Sequence, residues 1–189
     1  ALMDFTDVLA GRCSLQRAAA PHPELVGLYL LTAPVHLPGP PVPEEVSDLI
    51  AQAKAQFDYV LIDSPAGVGE GFHLAAHSAD RAIVVSTSDA SSLRDAQRAV
   101  GELSMTTIHL VVNRVQPKLL HQLRSTIGDA MDAAGLPLLG VVPEDERVML
   151  SANQSIPLIL ATRGKGAALA YLNIAKRIEG LRVPIMRLR

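Results

Sequence analysis

The chain contains one cysteine, no tryptophan and few other aromatic residues, and each scarcity excludes a class of protein. Cys13 is the only cysteine among 189 residues, which excludes an internal disulfide, a Cys-x-x-Cys redox pair and any multi-cysteine metal site. Aromatic residues make up 3% of the chain and hydrophobic residues 49%, so aliphatic side chains and alanine must build the core. No apolar run reaches the roughly 18 residues of a membrane span, and no signal peptide is visible. A cytoplasmic protein is therefore expected.

Charge of one sign is also lacking. The chain has 17 basic and 19 acidic residues, a net charge of −2. This balance argues against an electrostatic grip on nucleic acid over the whole surface. The length is close to that of one domain and is sufficient to bury a sizeable core.

What the chain does have is a regular alternation of apolar runs and amphipathic segments. The runs predict strands at Leu25–Ala33, Tyr59–Ile62, Ala82–Val85, Ile108–Val112 and Leu138–Val142. The amphipathic segments predict helices from Pro43, at Ser91–Leu103, at Leu119–Ala134 and at Lys165–Ile178. The proline-rich stretch Pro34–Pro43 predicts a loop. This rhythm predicts an α/β fold whose mostly parallel sheet carries helices on both faces.

In such sheets ligands bind beyond the carboxyl ends of the strands, and one strand end here carries an aspartate. Four apolar residues lead to Asp63, the Walker B arrangement, in which a carboxylate at a buried strand tip holds the water shell of Mg²⁺. Pro65 and Gly67 then shape a tight loop whose amides can approach a terminal phosphate. The alternative is that Asp63 only caps the turn that follows it.

Two further strand ends are polar. Asn113, after the fourth run, can offer a carbonyl and an amide to a purine edge, or it can bond its own backbone in a turn. Pro143, after the fifth run, ends its strand and precedes the acidic segment Glu144–Glu146, which suits the first turn of a helix. The backbone near Pro143 either lines a base pocket or forms part of that cap and nothing more.

The order of these motifs extends over nearly the whole chain. The segments concerned are Asp63–Gly67, Ala79–Val85, Ser91–Ala96, Val112–Arg114 and Gly140–Asp145. Together they resemble the MinD/ParA family of deviant-Walker-A P-loop ATPases and, within it, the MinD proteins that place the division septum.

The resemblance implies a P-loop NTPase-like fold that binds Mg²⁺ and ATP within a homodimer. Asp63 would be the Walker B carboxylate, reaching Mg²⁺ through water. The implied switch II residues are Pro65, Ala66 and Gly67. The implied base pocket consists of Asn113, Arg114, Pro143, Glu144 and Asp145. The implied partner surface, for MinC-like and MinE-like regulators, consists of Ser91, Ser92, Arg94 and Asp95.

The resemblance also implies attachment to the inner face of the cell membrane and no specific nucleic acid partner. Two alternatives stay open. One is a ParA-like or flagellar-placement partitioning ATPase. The other is a non-catalytic interaction protein that keeps only the partner surface.

Two family elements are absent from the printed sequence. No G-x-x-x-x-G-K-[ST] motif occurs, and Gly164-Lys165-Gly166 precedes the last predicted helix instead of following a first strand. The switch I aspartates are absent too. We therefore expect residues 1–189 to form a single MinD-like ATPase domain that is incomplete at its N-terminus and does not hydrolyse ATP as printed. Without the central P-loop strand, a strand edge and an apolar face should lie uncovered. The C-terminal segment Ile185–Arg189 is too short to form a membrane-surface helix.

A zinc site is not expected. His73 and His77 have the spacing of a zinc pair, but Leu74 occupies the position where H-E-x-x-H has its glutamate.

Overall fold

The computed structural model describes residues 3–34, 39, 41–162 and 164–186. The chain forms two compact units, Ala1–Ala79 and Asp80–Arg189. A single ATPase domain across residues 1–189 stays a prediction. Residues 35–38 and 40 of the predicted proline-rich loop, and residues 187–189 of the basic C-terminal segment, lie outside the described residues.

The first unit is mostly helical. Its described elements are α1 (Phe5–Leu9), α2 (Leu15–Ala18), β1 (Ala20–Pro21), β2 (Tyr29–Leu30), α3 (Pro43–Lys54) and α4 (Glu70–His77). The predicted helix from Pro43 is confirmed as α3, with proline in the first turn and Lys54 in the last, both favourable positions. Its Leu49 and Ala53 pack with Leu15 and Ala19 to form a small buried core.

Of the two strands predicted in this unit, the first is much shorter than expected and the second does not form. Of Leu25–Ala33 only the two residues of β2 pair, antiparallel to β1. Residues 59–63 belong to neither of the sheets in the described part of the chain, and Leu61 is 86% exposed. A run of apolar residues becomes a regular strand only where a neighbouring strand completes its backbone hydrogen bonds, and neither sheet supplies one here.

The second unit contains the parallel sheet. Its described elements are β3 (Ala82–Ser86), α5 (Ala90–Gly101), β4 (Ile108–Val115), α6 (Pro117–Leu123), α7 (Ile127–Ala134), β5 (Leu138–Pro143), α8 (Glu146–Asn153), α9 (Leu158–Ala161) and α10 (Gly166–Ile178). The strand order is β3-β4-β5, and both pairings are parallel. Three predicted strands and the helices α5 and α10 are thus confirmed.

Helices cover both faces of this sheet. Successive strand residues point to opposite faces, so Leu110 and Val112 of β4 enter one core while Val111 enters the other. The first core includes residues of α5 and α7, and the second includes residues of α9 and α10. The predicted α/β class, with helices on both faces of a parallel sheet, is confirmed.

β3 forms an open edge of the three-stranded sheet. It pairs only with β4 in the described part of the chain. The side chains of Ile83 and Val85 are 41% and 59% exposed, whereas Val84 packs against the first core. β3 is thus an edge strand with two exposed apolar side chains, and the expectation that a missing strand leaves this edge uncovered stays a prediction.

The helix predicted over Leu119–Ala134 is wrong in its continuity, because the structure has two helices there. Arg124 ends α6 in a left-handed conformation with φ of 51°. Thr126 then caps α7: its side chain accepts from the Asp129 amide at 3.1 Å, and Asp129 accepts from the Thr126 amide at 2.6 Å. This reciprocal capping box stabilises a new helix start and outweighs the continuous apolar periodicity.

Candidate nucleotide-binding site

The last residues of β4 form a bulge. Val112 pairs with Val141 and Val115 with Pro143, so β4 has one residue more than β5 between the two pairs. Asn113 and Arg114 therefore lie within the strand, and their predicted place after its end is wrong by this extension. Arg114 has φ of 54°, a left-handed conformation that few non-glycine residues adopt.

The bulge and the end of β5 are joined by a backbone and a side-chain contact. The Glu144 amide donates to the Val115 carbonyl at 3.0 Å. The Arg114 Nε donates to Glu144 Oε2 at 2.9 Å, with the arginine side chain 69% exposed. An ion pair this exposed adds little stability, but it holds the two predicted pocket residues beside one another.

Asn113 is half-buried and keeps its donors available. Its Oδ1 accepts from the Arg114 amide at 2.9 Å, the local backbone bond that the sequence left open as an alternative. No hydrogen bond within the described ranges uses its side-chain nitrogen. Because an amide has two N–H donors and a second lone pair on oxygen, Asn113 can still bind a purine edge.

The carboxylate of Asp145 binds groups of its own chain. It is the N-cap of α8, and its side chain is only 8% exposed. Its carboxylate accepts from the Nε and Nη2 of Arg147, each at 2.7 Å. The hydrogen bonds from Arg147 are the main cause that lowers the pKa of Asp145 to about 2, against the opposing effect of burial. The helix-capping interpretation of the acidic segment is thus confirmed for Asp145, while a direct nucleotide contact stays a prediction.

The residues predicted as Walker B and switch II lie in the first unit, on the segment between residues 59 and 69. Asp63 is exposed and follows no strand, so its predicted place at a buried strand tip is wrong. The reason is that residues 59–62 have no neighbouring strand with which to pair among the described residues. Pro65, Ala66 and Gly67 are exposed as well. Gly67 has φ of 85°, which favours glycine in this turn before α4.

The residues present fit a magnesium ion that arrives with a nucleotide. Mg²⁺ keeps several waters and needs only one or two carboxylates when phosphates supply other oxygens. No hydrogen bond or ion pair within the described ranges uses the Asp63 carboxylate, so it is available for such a role. In the described part of the chain, no group of three or more His, Cys, Asp or Glu side chains is placed to hold a metal ion. His73 and His77 are therefore not part of such a group.

The predicted partner surface lies at the start of α5. Ser91, Arg94 and Asp95 are exposed and Ser92 is half-buried, while Leu93 and Ala96 on the same helix are buried. The N-cap Asp89, which the sequence pattern did not assign, accepts from the Ser92 amide at 3.0 Å and from the Ser91 hydroxyl at 2.6 Å. The hydroxyl of Ser91 is the first of several hydrogen bonds that lower the pKa of Asp89. An aspartate directly before an amphipathic helix is the pattern that could have identified this cap.

Comparison with known proteins identifies the class. A structure of the MinC:MinD cell division protein complex of Aquifex aeolicus superposes with a TM-score of 0.89 and 29% identity, covering 98% of this chain and 76% of that one. The MinD structure of Pyrococcus horikoshii, described as complexed with Mg-ADP, gives a TM-score of 0.80 and 25% identity, covering 94% and 73%. No protein-family model matches the chain. The fold is that of the MinD/ParA ATPases.

Sequence similarity narrows this class. The septum site-determining protein MinD of a Synechocystis strain is 36% identical, over 95% of this chain and 70% of that protein. The MinD of Bacillus subtilis is 35% identical, over 97% of this chain and 71% of that protein. The chain therefore belongs to the MinD family of septum site-determining proteins, regulators of the cell-division site. Across three such relatives it spans 66%, 70% and 71% of their lengths.

The described ranges contain no helix whose length and hydrophobicity suit a membrane span.

Proposed function

We propose that this chain carries the base-binding part of an ATP-dependent switch that places the division septum. The observation that supports this most is the junction of the β4 bulge with the end of β5. There the Glu144 backbone amide donates to the Val115 carbonyl, and the side-chain nitrogen of Asn113 makes no hydrogen bond to the described residues. The junction lies at the carboxyl ends of two parallel strands, where α/β folds bind ligands.

Mg²⁺ and ATP are the proposed cofactors, and ATP hydrolysis is the proposed reaction of a form that carries a P-loop. Asp63 would hold the metal's water shell, and Pro65–Gly67 would respond to the terminal phosphate. A bound magnesium ion would neutralise phosphate charge during phosphoryl transfer, and the chain's own residues would position the nucleotide rather than react covalently. The ATP-bound form is proposed to be a homodimer at the inner face of the membrane, regulated by MinC-like and MinE-like partners.

The first test addresses the base pocket. We expect AMP to shift the Asn113 side-chain resonances of the isotope-labelled chain in a two-dimensional NMR titration. Asn113→Ala should weaken AMP binding about fivefold, because one hydrogen bond contributes roughly 1 kcal/mol. As a control, Gln116→Ala removes a nearby exposed side-chain amide and should bind AMP like the wild type.

Ribose 5-phosphate, which lacks the base, serves as the ligand control. Equal shifts of Asn113 with AMP and with ribose 5-phosphate would mean that the site binds the phosphate and not the base. That result would overturn the proposed pocket.

The second test addresses the partner surface. The Aquifex structure is described as a MinC:MinD complex, and we propose that α5 of this chain contributes to an equivalent contact. Arg94 and Asp95 are exposed on α5 beside the buried Leu93, so their charges face solvent on a helix fixed to the sheet. Charged residues on a rigid helix are suited to partner recognition.

We expect the double variant Arg94→Ala, Asp95→Ala to weaken binding to a MinC protein about tenfold or more, measured by biolayer interferometry. The urea midpoint should stay unchanged, because neither side chain contributes to the core. Arg98→Ala removes an exposed charge from the same helix and should leave MinC affinity unchanged. Equal losses in both variants would point to general electrostatics instead of a specific surface.

Charge also separates this proposal from the ParA-like alternative. A net charge of −2 disfavours non-specific DNA binding. A salt-sensitive shift of plasmid DNA by this chain would favour the partitioning ATPase instead.

A further inference from the structure

The carboxylate of Asp145 is fully used within the protein. Its Oδ1 accepts from the amide and the Nε of Arg147, at 3.1 and 2.7 Å. Its Oδ2 accepts from Arg147 Nη2 at 2.7 Å and from the Ala167 amide at 3.0 Å. A carboxylate has about four lone-pair positions, so these four hydrogen bonds leave none for a bound nucleotide.

These bonds join three elements. Asp145 lies two residues after the end of β5 and caps α8, while Ala167 lies in the first turn of α10. The N-cap of α10, Lys165, provides no side-chain hydrogen bond to that helix. Asp145 therefore supplies from another part of the chain the negative group that a helix start favours.

Gly166 is the residue that makes this approach possible. A Cβ on Gly166 would overlap the guanidinium of Arg147 and the carboxylate of Asp145. These are side-chain ends, but each is fixed by the other and cannot simply rotate away. Gly166 also has φ of 52°, in the left-handed region that favours glycine. The Gly164-Lys165-Gly166 segment, which does not match a P-loop, thus accommodates an ion pair.

Glu144 is held to the β4 bulge by its backbone and by its side chain. Its amide donates to Val115 and its carboxylate accepts from Arg114, and the next residue along the chain is Asp145. Holding Asp145 therefore limits where Glu144 can lie relative to the β4 bulge.

We propose that Asp145, Arg147 and Gly166 form a clamp that positions the Pro143–Glu144 turn for base binding. Asp145 is then a positioning residue and makes no contact with the base itself. This inference rests on the proposed function, because it assigns a supporting role to the same pocket. It differs from the role that the family resemblance implies for Asp145.

The test compares AMP binding and folding in clamp variants of the whole chain, by NMR titration and urea denaturation. Asp145→Asn keeps the shape and removes the charge, and Arg147→Lys keeps the charge but loses the two-pronged guanidinium. We expect both to remain folded, to shift the Glu144 amide resonance and to weaken AMP binding about fivefold. Glu146→Gln removes an exposed carboxylate next to Asp145 and should leave AMP affinity unchanged.

The outcomes separate this inference from the proposed function. If the wild type fails to bind AMP, the proposed pocket is overturned and the clamp's role in it as well. If the wild type binds and both clamp variants bind equally well despite lower urea midpoints, only the clamp's positioning role is overturned. Arg147→Lys, the milder change, decides the question if Asp145→Asn does not fold.

Discussion

Leu110→Ala is expected to lower the free energy of unfolding by about 2–5 kcal/mol, the largest effect among the substitutions considered for this chain. Leu110 lies in β4, the central strand of the parallel sheet, and is 0% exposed. It packs in the core between the sheet and the helices α5 and α7. Truncation removes buried apolar contacts and leaves a cavity that two layers of regular structure cannot easily close. Urea denaturation followed by circular dichroism measures the loss.

Leu123→Ala provides the matched control for this prediction. Leu123 ends α6 and is 59% exposed, so the same chemical change should alter stability by less than about 0.5 kcal/mol. Similar losses in the two variants would mean that the first core does not have the packing described here.

Gly140→Ala is expected to lower the free energy of unfolding by about 1–3 kcal/mol, although it adds a single methyl group. Gly140 is a buried residue of β5, and a Cβ there would overlap the Cγ1 and Cδ1 atoms of Ile174 in α10. Either the helix must move away from the sheet or Ile174 must adopt another rotamer. Thermal and urea denaturation measure the change.

The cause of this loss can be isolated with a second substitution. Ile174→Ala removes the atoms that collide, so the pair of substitutions together should cost less than the sum of the two alone. Gly101→Ala is the control, because a Cβ at the end of α5 meets no atom within 4 Å. That variant should be neutral or slightly stabilised. Additive losses in the double variant would exclude the overlap as the cause.

Two apolar runs show which strands could be predicted from the sequence and which could not. The run Ile108–Val112 predicts β4 because it is apolar on both faces, and both faces are indeed covered. The run Tyr59–Ile62 has the same character and forms no strand. Apolar character records the tendency to be buried, whereas a strand also requires a neighbour whose carbonyls and amides complete its hydrogen bonds.

Some features of the candidate site could likewise be predicted from the sequence, and others could not. Asn113 and Glu144 are recognisable because polar residues end apolar runs, and the structure brings Arg114 and Glu144 into contact. The bulge that inserts an extra residue in β4 is not visible in the pattern, since it depends on the register with β5. Gly166 and Ala167 could not be assigned either, because their contacts with Asp145 join residues about twenty positions apart.

The order of residues by itself determined the α/β class, three of the strands, the helices α3, α5 and α10, and membership of the MinD family. Those features follow from local periodicity, turn chemistry and motif order, all of which are written within a few neighbouring positions. Only the tertiary structure decided which apolar runs became strands, where β4 bulges and how Asp145 reaches the start of α10. Each of these depends on a backbone or charge from a distant segment, and no local pattern contains that information.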